Sequence, residues 1–244
     1  MGTISAMARP FRDRRLAGQE LAERLATYAG RPDVVVLGLP RGGVPVAFEV
    51  ARALGAPLDV FLVRKLGVPD HRELAMGALA SGGIRVLNER VVRELGIPQA
   101  AIDAVAAEEQ RELERRERAY RGDRPSPDVA GRAVILIDDG LATGSTMRAA
   151  VVALRRLGPA RTIVAVPAAA PATCDQLRAV VDEVVCAITP EPFHAVGLWY
   201  ENFSPTTDEE IRDLIDQAGG RSSGRPPRVD SSRSDVSAEQ HPGR

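Results

Sequence analysis

Four short runs in which nearly every position is apolar constrain this chain most: residues 34–39, 58–63, 133–137 and 162–166. A strand with one wet face alternates apolar and polar residues. Continuous runs rich in Val and Ile are dry on both faces, as in a parallel sheet covered by helices. Residues 184–188 are a fifth candidate. Between the runs lie helical patterns at 44–54 and 145–157, the second stopped by Gly158-Pro159. The reading is an α/β fold, a mainly parallel, doubly wound central sheet flanked by helices. Residues 78–87, with Gly82-Gly83 in the middle, read as a hairpin. Residues 99–121 read as a long helix whose Glu and Arg side chains pair at i,i+4.

Composition sets the outer limits. Residues 1–218 have the makeup of one globular domain. Residues 219–244 hold six Ser, five Arg, four Gly and three Pro, too little apolar surface to offset ordering, and are expected to be a disordered tail. The formal charge is −1, which gives no electrostatic reason to expect nucleic acid. No apolar run approaches membrane-spanning length. Cys174 and Cys186 match no metal spacing and suit a reducing compartment, so a cytoplasmic protein is expected. Lys65 is the single lysine among 32 basic residues and is followed by Leu66, which rules out a P-loop.

The chemistry is concentrated where the third run ends. Ile135-Leu136-Ile137 leads into Asp138-Asp139, then Gly140-Leu141-Ala142-Thr143-Gly144-Ser145-Thr146, then a helix. Backbone amides from Thr143 to Thr146 at a helix start make an anion nest, and Gly144 permits close approach. Two carboxylates beside such a nest suit a ligand carrying both phosphate and vicinal hydroxyls, a sugar phosphate. A bare phosphate would be repelled by the acids.

This stretch resembles the PRPP-binding signature of the type I phosphoribosyltransferases without a gap. The likeness extends to the loop Leu39-Pro40-Arg41-Gly42-Gly43, to the start Phe11–Arg14, and to the ending Val196-Gly197-Leu198-Trp199-Tyr200. It implies a mainly parallel sheet with one antiparallel edge strand, which the 78–87 hairpin could supply, and marks about 88–125 as a helical insertion. It implies that Asp138 and Asp139 hold the ribose hydroxyls and that Ala142, Thr143, Gly144, Ser145 and Thr146 hold the 5′-phosphate. Arg41, Gly42 and Gly43 would face pyrophosphate, with Arg64 and Lys65 at the end of the second strand as further basic groups. A flexible loop from 67 to 77, with Asp70, His71, Arg72 and Glu73 at its tip, would close over the site. Phe193 or Trp199 would stack on an acceptor base, and Glu201 or a nearby carbonyl would read its polar groups. Four of the nine aromatics lie between 193 and 203, although such residues also serve as core or dimer contacts.

The activity implied is transfer of a 5-phosphoribosyl group from PRPP to a nitrogen nucleophile. Mg²⁺ would arrive on the pyrophosphate, since the protein alone shows no metal cage. The partners implied are PRPP and an unidentified acceptor, with a homodimer left open. The alternative is a non-catalytic PRPP- or nucleotide-sensing regulator on the same fold.

Overall fold

The computed structural model describes residues 9–220. The tail expected from 219 therefore lies, from residue 221 onward, outside the described residues.

Five parallel strands form the central sheet: β1 (Val34–Gly38), β2 (Leu58–Val60), β6 (Ala133–Ile137), β7 (Arg161–Ala168) and β8 (Glu183–Ile188). Their order is β2-β1-β6-β7-β8, with β1 and β6 in register from Val34↔Ala133 to Gly38↔Ile137. Alternate side chains feed two cores. Val34, Val36, Ile135, Ile137 and Ile163 pack under α1 (Arg14–Arg24) and α2 (Gly43–Leu54). Val35, Leu37, Val134, Leu136 and Val164 face α5 (Ser145–Arg155) and α6 (Pro171–Arg178). Both faces are dry, which is why the runs carry no polar alternation.

A second, three-stranded antiparallel sheet follows the order β3 (Val63–Val68), β4 (His71–Ala80), β5 (Ile84–Leu87). It overturns two expectations. Residues 58–63 are not one strand: β2 stops at Val60, buried Phe61 and Leu62 carry the chain across, and Val63 begins the second sheet. An unbroken apolar run records burial, not which sheet does the burying. The 78–87 hairpin does form, turning on Gly82 and Gly83 at positive φ. It pairs with β3, however, and adds no edge strand to the central sheet.

The second sheet is backed by α4 (Gln99–Arg121), which also packs on α7 (Asp208–Ala218). Ile102 and Leu113 of α4 meet Leu66, Met76 and Leu79 in a third core. Arg121, near the helix end, pairs with buried Asp59 of β2 at 2.9 Å and so ties α4 to the central sheet. No helix among the described residues is long and apolar enough to cross a membrane.

Candidate active site

The loops after β1 and β6 meet at the carboxyl edge of the parallel sheet, where ligands bind in folds of this type. The Leu39 amide donates to the Ile137 carbonyl at 2.8 Å, which laces the first loop to the end of β6. Gly42 and Gly43 then lie directly on the acids. A Cβ on Gly42 would come within 1.9 Å of Asp139 Oδ2, and one on Gly43 within 2.8 Å of the Asp138 Cα. Gly42 thus makes room for the Asp139 carboxylate, and Gly43 for the backbone where β6 ends at Ile137 and Asp138. Arg41, beside them, is exposed, and its peptide bond with Pro40 is cis.

Asp139 is held from three sides. Arg14, at the start of α1, donates from Nε at 2.9 Å to Asp139 Oδ2 and brings Nη2 within 2.9 Å of the same oxygen. The Tyr200 hydroxyl donates to the Asp139 carbonyl at 2.6 Å. The Asp139 amide in turn donates to Asp138 Oδ1 at 2.9 Å. Arg14 is itself fixed: its Nη1 donates to the Ser204 carbonyl at 2.8 Å, and its guanidinium lies 4.0 Å over the Phe203 ring. A parallel bridge between Phe11 and Tyr200 brings the two chain segments together.

Asp138 keeps some surface, but the protein packed around it pushes its carboxyl well above the ordinary aspartate range, and the Asp139 charge pushes the same way. Burial also raises Asp139, with Arg14 opposing it. Tyr200 is raised chiefly by burial and remains a hydrogen-bond donor.

Beyond the acids, Ala142, Thr143, Ser145 and Thr146 are exposed around buried Gly144, whose φ is +65°. No side chain among the described residues caps the start of α5, so the first helical amides are free to bind an anion. Thr173 of α6 supports this loop from behind: its hydroxyl donates to the Ala142 carbonyl at 2.6 Å, and its methyl would stand 2.6 Å from a Cβ on Gly144.

The remaining candidates divide. Arg64 and Lys65 lie on β3 and do not end a strand of the central sheet. Arg64 donates from Nε to Glu109 of α4 at 2.6 Å, while Lys65 Nζ donates to the Glu73 carbonyl at 3.1 Å. With Asp70 and Glu73 they line an open cleft between the hairpin and α4. The segment 67–77 is not a loop but the paired end of β3 and β4, with Asp70 at the turn in positive φ. His71 and Arg72 begin β4, and the His71 and Glu73 side chains are exposed. The reason lies in Leu66, Val68 and Met76, whose burial against α4 anchors the two strands. No hydrogen bond or ion pair among the described residues joins this group to Asp138, Asp139 or the 142–146 loop.

Phe193 and Trp199 stack on each other, centroids 6.2 Å apart, and pack against the core under α1 and α2; the Glu201 side chain is exposed. Sequence reasoning missed Arg14, Tyr200, Phe203 and Thr173 as parts of the site. The Phe11–Arg14 start and the Val196–Tyr200 ending were visible as motifs. Nothing in their spacing said that they meet at Asp139.

A model of the phosphoribosyl transferase domain matches residues 14–200, from the arginine that grips Asp139 to the tyrosine that holds its carbonyl. The chain belongs to the phosphoribosyl transferase family. Two Mycobacterium tuberculosis proteins, from strains CDC 1551 and H37Rv and each provisionally named phosphoribosyl transferase, are 49% identical over 208 residues. That alignment covers 85% of this chain and 47% of theirs, so the chain spans about half the length of these curated relatives. The crystal structure of TT1426 from Thermus thermophilus is 46% identical with a TM-score of 0.77, covering 85% of this chain and 98% of that one. The α/β fold is therefore shared with that structure.

Proposed function

We propose that this chain transfers a 5-phosphoribosyl group from PRPP to a nitrogen nucleophile, breaking the C1–O bond to pyrophosphate and forming a C1–N bond. The observation that carries this reading is the juxtaposition of Asp138-Asp139, the Gly42-Gly43 loop and the uncapped α5 start on one sheet edge. The α5 amides anchor the 5′-phosphate, and binding energy at that remote end holds C1 in place. Asp139 engages Arg14 through Oδ2, and the two acids together present their carboxyl groups to the ribose hydroxyls. The acids also favour the positive charge that develops on the ring as the bond to pyrophosphate lengthens. Arg14 acts as a positioning residue, fixing the Asp139 rotamer and opposing its protonation.

Arg41 and the adjacent amides face the growing charge on the leaving group. Arg64 and Lys65 would add to it after exchanging Glu109 and Glu73 for pyrophosphate oxygens, a hairpin movement that replaces the expected lid. Among the described residues no group of three or more His, Cys, Asp or Glu could hold a metal. A hard cation prefers oxygen ligands, so our reading has Mg²⁺ carried by the phosphate oxygens of PRPP, where it supplies further positive charge.

The test is a screen of nucleobases and small amines with PRPP and Mg²⁺, scored by pyrophosphate release. Release with at least one acceptor is expected. PRPP binding with no release from any acceptor would favour the sensing alternative.

A further inference from the structure

We propose that Cys174 and Cys186 are a redox-sensitive dithiol that closes to a disulfide and tightens the wall behind the 142–146 loop. Cys174 is buried in α6, and Cys186 sits partly exposed on β8, the edge strand of the central sheet. Their Sγ atoms lie 2.8 Å apart, against about 2.05 Å in a covalent disulfide. Each thiol's hydrogen-bonding side-chain partner is the other. That contact draws the Cys174 thiol downward in pKa and, with burial, pushes Cys186 upward, so one sulfur of the pair is favoured as thiolate.

The position gives the pair its consequence. Thr173 precedes Cys174 and is the residue that bonds the Ala142 carbonyl and backs Gly144. The Ala170 amide, at the α6 start, donates to the Leu141 carbonyl at 2.9 Å. A covalent link from α6 to β8 therefore removes freedom from the support of the whole loop. With hydrogen peroxide as oxidant, the Cys174 sulfur, the one favoured as thiolate, attacks the O–O bond and takes one oxygen as a sulfenic acid, and water leaves. The Cys186 sulfur then gives up its proton and attacks that sulfur, the S–S bond forms and a second water departs. Two S–H bonds and one O–O bond are consumed. In a reducing compartment such a disulfide is transient, as regulatory ones are.

The experiment uses the full chain, oxidised with peroxide and then reduced with dithiothreitol, beside Cys174→Ser and Cys186→Ser. Intact mass should fall by two hydrogens in the parent protein and in neither variant. The melting temperature should rise by about 5–10 °C, as expected for closing a loop of this length. Amide hydrogen exchange at 142–146 should slow several-fold and recover on reduction. Sulfinic acid or intermolecular disulfides without the two-hydrogen loss would overturn the proposal. So would a disulfide that leaves exchange at 142–146 unchanged. The loop's phosphate role rests on the function proposed above, but exchange is read without ligand, so failure here and failure to bind PRPP are separate results.

Discussion

Two arginine–carboxylate pairs of this molecule look alike on paper and differ in setting. At the carboxyl edge of the parallel sheet, the side chains of Arg14 and Asp139 are 12% and 15% exposed, and a glycine, an aromatic ring, a carbonyl and a tyrosine hydroxyl surround them. On the hairpin sheet, Arg64 and Glu109 are 27% and 22% exposed and border an open cleft, and the neighbouring Lys65–Glu73 contact stands in water. In the first pair Arg14 is committed to structure, holding Asp139 in place. The second set is placed where an arriving anion can displace the carboxylates. Burial and the number of fixed partners decide which charges hold a site together and which are left for a ligand.

Substitution costs should follow the same order. Arg14→Ala should destabilise the protein by about 3 kcal/mol, because it leaves a nearly buried Asp139 uncompensated and uncovers Phe203. Arg64→Ala should cost about 1 kcal/mol, and Lys65→Ala less than about 0.5 kcal/mol. Chemical denaturation of the three variants checks the order, and equal costs for Arg14→Ala and Lys65→Ala would remove the distinction.

A smaller effect sharpens the picture at the acids themselves. Because the Asp138 carboxyl is raised, the native state holds its proton more tightly than the unfolded chain does. Stability contributed by that proton is lost as pH rises from the ordinary aspartate range through the folded-state value. Asp138→Asn keeps an oxygen for the Asp139 amide and removes the ionisable carboxyl. At neutral pH it should raise stability by about 1 kcal/mol, and the gain should vanish below about pH 4. Melting curves at both pH values decide it; a variant less stable than the parent at neutral pH would show that the ionised form is not strained.

The same contrast explains what was legible in the sequence. The strand, acid pair, nest and helix from Ile135 to Thr146 are contiguous, so local pattern and backbone chemistry place them in one strand–loop–helix unit and the structure keeps them there. The partner that holds Asp139 is Arg14, 125 positions away, and no periodicity encodes that meeting. The flexible loop expected at 67–77 failed for another reason. Leu66, Val68 and Met76 are apolar residues spaced for strands, but Gly67, Pro69 and Gly77 among them read as breakers, and β3 ran on from an apolar run belonging to another sheet. Local chemistry carried the loops, while tertiary pairing decided which sheet received each strand. Cys174 and Cys186, 12 positions apart on a helix and an edge strand, are a further meeting visible only in the fold.

The most direct test of the central claim, that the β6 acids and their neighbouring loops bind PRPP, is calorimetric titration of Mg²⁺–PRPP into the parent chain and the Asp138→Asn/Asp139→Asn double variant. Saturable binding to the parent is expected, with affinity at least about a hundredfold weaker in a variant that still melts cooperatively. Equal affinity in the two proteins would contradict it.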